Sequence, residues 1–118
     1  MEIKWSSFHG SYAEEEVKKY VPKDAGVYML WVQLKSGKWR CFYVGKGNLE
    51  ERLLHHLSSY EENKCLSEKA SKYICGFEYA AVSDENSRDG IEKYLYDYYS
   101  PGCNEVDPGG SPIRVNLP

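Results

Sequence analysis

Two apolar runs facing each other across a turn restrict most what this chain can fold into. Residues 26–34, GVYMLWVQL, and residues 39–45, WRCFYVG, are rich in β-branched and aromatic side chains, and Ser36, Gly37 and Lys38 lie between them. Runs of this kind around a glycine-containing turn predict a β-hairpin. Along the first run Val27, Met29 and Trp31 alternate with Leu30, Val32 and Leu34. Both faces are therefore apolar, and the predicted sheet is covered on both sides.

Helices and one more strand surround the hairpin. In residues 11–20, SYAEEEVKKY, Ser11 stands three positions before Glu14, the pattern of a capping box, and Pro22 ends the short helix. Asn48 is placed to cap a second helix, with Glu51 reaching back and Leu49, Leu53 and Leu57 forming an apolar stripe. Residues 61–72 are polar and read as a loop with a short helix. Residues 73–82, YICGFEYAAV, predict a third strand, and DENSRDG interrupts it. Residues 91–100 predict a helix with Ile91, Leu95 and Tyr98 inward, closed by Pro101 and Gly102. The order predicts a small α/β (α+β) sandwich. The expected organisation is a single domain over 1–118, with a core at 24–105, an N-terminal helical extension at 1–23 and a Pro/Gly-rich tail at 106–118.

The chain has 118 residues, enough for one hydrophobic core, and a formal net charge of −3. A protein living on non-specific duplex binding is usually basic, because neutralised phosphates supply that affinity. Here the cations are local: Lys35, Lys38, Arg40, Lys46 and Arg52 share one stretch with only Glu50 and Glu51, and residues 57–118 are acidic. This reads as an anion site on an acidic body. The four cysteines, Cys41, Cys65, Cys75 and Cys103, lack zinc-ligand spacing. With no signal-like or membrane-length apolar run, the expectation is a soluble cytoplasmic protein with free thiols and no membrane association.

The second run ends in Gly45-Lys46-Gly47 and gives way to a helix. Glycines let a backbone approach a ligand, a helix N-terminus presents free N–H groups, and Lys46 adds a charge. The nucleotide-binding P-loop pattern is incomplete, because no Ser or Thr follows the lysine. Arg52 and His56 share a helix face; an arginine there can grip a phosphate and a histidine can move a proton. Solvated lysine, arginine and glutamate positions on helix faces account for each of these residues singly.

Together they resemble the GIY-YIG nuclease domain. GVY at 26–28 and YVG at 43–45 stand for its two motifs, each with valine for isoleucine, and supply Gly26, Tyr28, Tyr43 and Gly45. Lys46 follows the second motif, Arg52 and His56 match the next helix, with His56 fitting better than His55, and Glu92 and Asn104 match a later glutamate and asparagine. The resemblance implies a three-stranded antiparallel sheet flanked by helices and hydrolysis of DNA phosphodiesters at one Mg²⁺ or Mn²⁺. It implies Glu92 as the metal's protein ligand, Arg52 holding phosphate charge, and Tyr28 or Tyr43 beside the attacking water, with Tyr28 preferred. Lys46 and His56 would lower the phenol's pKa, and Asn104 would orient the site. DNA contacts are expected from Lys35, Lys38, Arg40, Lys46 and Arg52, weak and of low specificity alone, so a protein partner in repair, recombination or defence is implied. The competing expectation is a binding module that kept this fold without turnover.

Overall fold

Strand β1, Ala25–Gln33, is the middle strand of a three-stranded sheet, with β2, Trp39–Asn48, on one side and β3, Cys75–Ala81, on the other. A computed structural model describes residues 1–118. Both pairings are antiparallel, as expected for a hairpin extended by one strand. The remaining elements are helices α1 (Glu14–Tyr20), α2 (Leu49–Leu57), α3 (Lys64–Lys72) and α4 (Glu85–Tyr99).

The two apolar faces of β1 each receive a layer. Tyr28, Leu30 and Val32 pack with Val17 of α1, Leu49 and Leu53 of α2, Leu66 of α3 and Phe77 of β3. Val27 and Met29 pack on the other face with Ile91 and Leu95 of α4 and Val115 of the tail. One irregularity in the hairpin sets which side chains share a face. Leu30 pairs with Tyr43 while Trp31 pairs with Cys41, so Phe42 is an extra residue on β2. A bulge breaks the alternation of side chains. Phe42 and Tyr43, adjacent in sequence, therefore both lie against the α2 side, and Cys41 and Val44 both lie on the α4 side.

The sheet's two edges are treated differently. The N-terminal segment runs beside β3: Ser6 N–H donates to Tyr79 O, His9 and Phe77 exchange backbone bonds, and Tyr12 N–H donates to Cys75 O. This covers an edge that would otherwise offer itself to another chain. Because the chain is still paired to β3 at Tyr12, the first helix cannot start at Ser11. It starts at Glu14 after Ala13, with no side-chain cap, so the expected capping box is absent.

Three further expectations are corrected. Helix α4 begins at Glu85, because Asp84 accepts a hydrogen bond from Ser87 N–H at 2.8 Å; DENSRDG is the first half of the helix, not a break. Gly90 is tolerated there because Ile113 of the tail fills the space a Cβ would take. Tyr98 is 59% exposed, and Tyr99 turns in instead, edge-on to Trp31 with ring centroids 5.3 Å apart. Finally, Cys65 and Cys103 form a disulfide, leaving only Cys41 and Cys75 as free thiols, both buried. Packing of α3 against the loop after α4 brings those cysteines to a Cα separation of 5.3 Å across 38 residues of sequence. Such proximity is invisible to a spacing rule.

Candidate active site

The second edge of the sheet, that of β2, gathers most of the candidate residues. Here the loop after α4 does the work of a neighbouring strand. Cys103 N–H donates to Phe42 O, and the Asn104 amide both accepts from Val44 N–H at 3.0 Å and donates to Val44 O at 2.9 Å. Asn104 therefore holds the backbone between Tyr43 and Gly45. No atom of it is aimed at the cleft through these bonds.

At the end of β2 the chain turns into α2 with little wasted length. Asn48 accepts from Glu51 N–H at 3.0 Å and donates to Lys23 O at 2.8 Å, so it caps the helix and ties it to the entry of β1. The Glu51 side chain is exposed and makes no reciprocal bond. Gly47 has φ +131°, a conformation that side chains disfavour, and a Cβ there would lie 3.0 Å from Arg52 Cγ. Gly45 pairs with Tyr28, and its missing side chain is where the phenol ring lies: a Cβ would sit 2.3 Å from both Cζ and Oη. Gly45→Ala is accordingly expected to lower stability by about 1–3 kcal/mol through overpacking. An unchanged denaturation midpoint would show that the ring is free to move away.

Above this turn lies a cleft of 290 Å³, lined by Tyr43, Arg52, His55, His56, Glu61 and Glu105 among others. Tyr43 is half-buried and faces it. Tyr28 is 1% exposed and lies behind, its hydroxyl 2.6 Å from His56 Nε2. The rings of Tyr28 and Tyr43 are stacked at 6.2 Å, and His56 stands edge-on to Tyr43 at 5.0 Å. Burial pushes both phenols above their ordinary pKa, Tyr28 further than Tyr43. The Arg52 guanidinium faces both and opposes that rise. His56 is 2% exposed, and burial holds its pKa below the usual value.

On the α4 side of the same edge, Lys46 Nζ lies 2.6 Å from Asp89 and 3.3 Å from Glu92. The Glu92 side chain is 13% exposed; burial raises its pKa, and Lys46 offsets part of that rise. The Glu92 charge also reaches both phenols. The residues brought together are thus Tyr28, Tyr43, Arg52 and His56 on one side of β2 and Lys46 and Glu92 on the other, with Asn104 bracing the strand. Lys35, Lys38 and Arg40 are not among them. They sit at the hairpin end of the sheet, and Arg40 is roughly 20 Å from Lys46 at the rise of a strand. The expected basic strip is two separate groups. Glu61, which sequence reading passed over as one more acidic loop residue, contacts His56 directly.

No protein-family model matches the chain, and no curated protein does. Solved structures do. The GIY-YIG N-terminal endonuclease domain of UvrC from Thermotoga maritima, bound to magnesium as its catalytic divalent cation, aligns with a TM-score of 0.54 and 26% identity over 76% of this chain and 97% of that one. A tyrosine-to-phenylalanine point mutant of the same domain, bound to its catalytic divalent cation, aligns with a TM-score of 0.55 and 26% identity over 78% of this chain and 98% of that one. An asparagine-to-alanine mutant aligns equally well at 25% identity. This chain has the GIY-YIG nuclease fold. Its three-stranded antiparallel sheet and flanking helices are the fold expected from GVY and YVG. The GIY-YIG motifs are adjacent here because Tyr28 and Gly45 are directly opposed in the sheet.

The residues fit a hard divalent ion of the kind those structures hold. Mg²⁺ and Mn²⁺ favour oxygen donors and keep several waters, so one carboxylate beside a phosphate suffices. Glu92 is such a carboxylate, and in this structure it already faces a cation, the Lys46 ammonium. No cluster of three or more His, Cys, Asp or Glu side chains is present that would make an all-protein cage.

Proposed function

We propose that this chain is a divalent-metal-dependent endonuclease that hydrolyses DNA phosphodiester bonds. The observation that carries this reading is that Arg52 and Tyr43 line one cleft at the β2 edge while Glu92, paired with Lys46 on the α4 side of that edge, lies near enough for its charge to act on both phenols. Glu92 would hold Mg²⁺ or Mn²⁺, which would polarise the scissile phosphate and stabilise the leaving oxygen. Arg52, with its guanidinium presented beside the phenols, binds the non-bridging oxygens and offsets the charge that builds on them. Tyr43 is the tyrosine that faces the cleft, so its phenol oxygen accepts a hydrogen bond from the attacking water and aligns it. The enclosed Tyr28 is thereby moved from the preferred water-side role to a supporting one. Lys46 neutralises phosphate charge on the α4 side, and Asn104 keeps β2 straight between Tyr43 and Gly45.

The net charge of −3 favours weak, salt-sensitive DNA binding and a cytoplasmic protein partner that brings substrate in repair, recombination or defence. Supercoiled plasmid incubated with the purified chain is expected to be nicked in Mg²⁺ or Mn²⁺ and to stay intact in EDTA. Intact plasmid in every metal, together with measurable DNA binding, would instead identify a binding module on this fold.

A further inference from the structure

Glu61 stands in the loop between α2 and α3, yet its side chain is only 6% exposed. A carboxylate is seldom so enclosed without partners, and this one has three. One oxygen hydrogen-bonds His56 Nδ1, and the other lies 3.4 Å from His55 Nε2 and 3.5 Å from Asn63 N–H. Beyond His56 the chain of contacts continues to the Tyr28 hydroxyl, 2.6 Å from Nε2, and Arg52 on the wall of the cleft lies near enough for its charge to act on that oxygen. Three side chains from β1, α2 and the α2–α3 loop thus form a hydrogen-bonded line from a buried carboxylate to a phenol within reach of the Arg52 charge.

Hydrogen-bond chemistry fixes the direction of that line. An ionised carboxylate only accepts, so Nδ1 must carry a proton. A neutral imidazole then has Nε2 as an acceptor, so the Tyr28 O–H must donate to it. The Tyr28 lone pairs are left free to face the positive charge of Arg52. Reversing the tautomer would turn the Tyr28 proton toward Arg52, a donor facing a donor. We propose that Glu61 is a positioning residue of this site, which locks His56 as its Nδ1–H tautomer and through Tyr28 sets the aim of Arg52. This inference rests on the nuclease reading only for what Arg52 does; the tautomer lock stands on the contacts themselves.

The groups facing His56 are Tyr28 from β1, Tyr43 from β2, Arg52 and His55 from α2, and Glu61. Burial lowers the His56 pKa, Arg52 and His55 lower it further, and Glu61 opposes them. Below its pKa the imidazolium donates from both nitrogens, and the Tyr28 oxygen must accept from Nε2 in competition with Arg52. Activity is therefore expected to rise with pH through the His56 titration. Removing the Glu61 charge lowers that pKa, so the acid limb of the profile moves to lower pH even as the plateau falls.

The test has two readouts. In ¹⁵N-histidine-labelled protein without metal or DNA, held above the His56 titration, imidazole nitrogen shifts should show Nδ1–H in the wild type and a shift of population to Nε2–H in Glu61→Ala. In Mn²⁺-dependent plasmid nicking, Glu61→Ala should lower kcat roughly 10- to 100-fold, the scale of losing an outer-shell partner of a metal-bound histidine, with KM little changed and the acid limb displaced to lower pH; Glu61→Gln, whose amide oxygen still accepts from Nδ1–H, should recover part of kcat while keeping the displaced limb. A wild type with His56 as Nε2–H overturns the proposal, as does a Glu61→Ala variant with unaltered kcat and pH profile. Inactive wild-type protein that still shows the Nδ1–H tautomer would overturn the nuclease reading and leave the lock standing.

Discussion

Glu92→Gln is expected to lower metal-dependent plasmid nicking by at least about a hundredfold, the scale of losing one preorganised charge-stabilising group. The substitution keeps side-chain length and a carbonyl oxygen, so α4 keeps its packing through Ile91 and Leu95, both fully buried. What it removes is the anionic oxygen. A neutral amide is a poor partner for Mg²⁺ or Mn²⁺, which prefer carboxylates. It also frees Lys46 from one of its two acidic partners and leaves it with Asp89 at 2.6 Å. The loss should therefore appear in the metal titration of the nicking rate, while circular dichroism and thermal midpoint stay near those of the wild type. Nicking that survives Glu92→Gln at normal metal dependence would place the metal elsewhere.

The second large effect concerns the Cys65–Cys103 disulfide. Opening it is expected to cost about 4 kcal/mol at 25 °C on the chain-entropy estimate for a closed loop of this length, a drop in Tm of roughly 15 °C for a chain of this size. Calorimetry of Cys65→Ser beside wild type, each with and without a dithiol reductant, measures it: the reductant should shift the wild type and leave the variant unmoved. The consequence reaches the site because Cys103 is bonded on both sides. Its N–H donates to Phe42 O, and its carbonyl accepts from the Asn63 side chain at 2.8 Å. Asn104, next in sequence, clasps Val44. Loosening this loop loosens the bulged part of β2 that points Tyr43 into the cleft. Alkylation of the unfolded, unreduced protein should modify Cys41 and Cys75 only. Modification at all four positions would show that the bond does not form, and the expectation of free thiols would return.

Several parts of the site were legible in the residues alone because their causes are local. Asn48 caps α2 through its own side chain, and the glycines of GVY and YVG mark where strand meets strand at close range. The spacing of Arg52 and His56 follows from one turn of helix. Tyr43 shows the limit. Simple alternation along β2 would put it on the α4 side with Cys41; the bulge at Phe42 returns it to the α2 side. Glu61 shows the limit again, since nothing in its neighbours separates it from the exposed glutamates around it until the loop folds over His56.

The sequence by itself determined the hairpin, the third strand, the helix caps at Asn48 and the order of the motif residues, because periodicity, capping and turn chemistry act between near neighbours. Only the tertiary structure decided which edge of the sheet borders the cleft, which tyrosine meets it, which cysteines pair and which glutamate sits behind the histidine. Each of those depends on two segments distant in the chain being pressed together by burial of the apolar faces of β1, and no local pattern records which partner burial will choose.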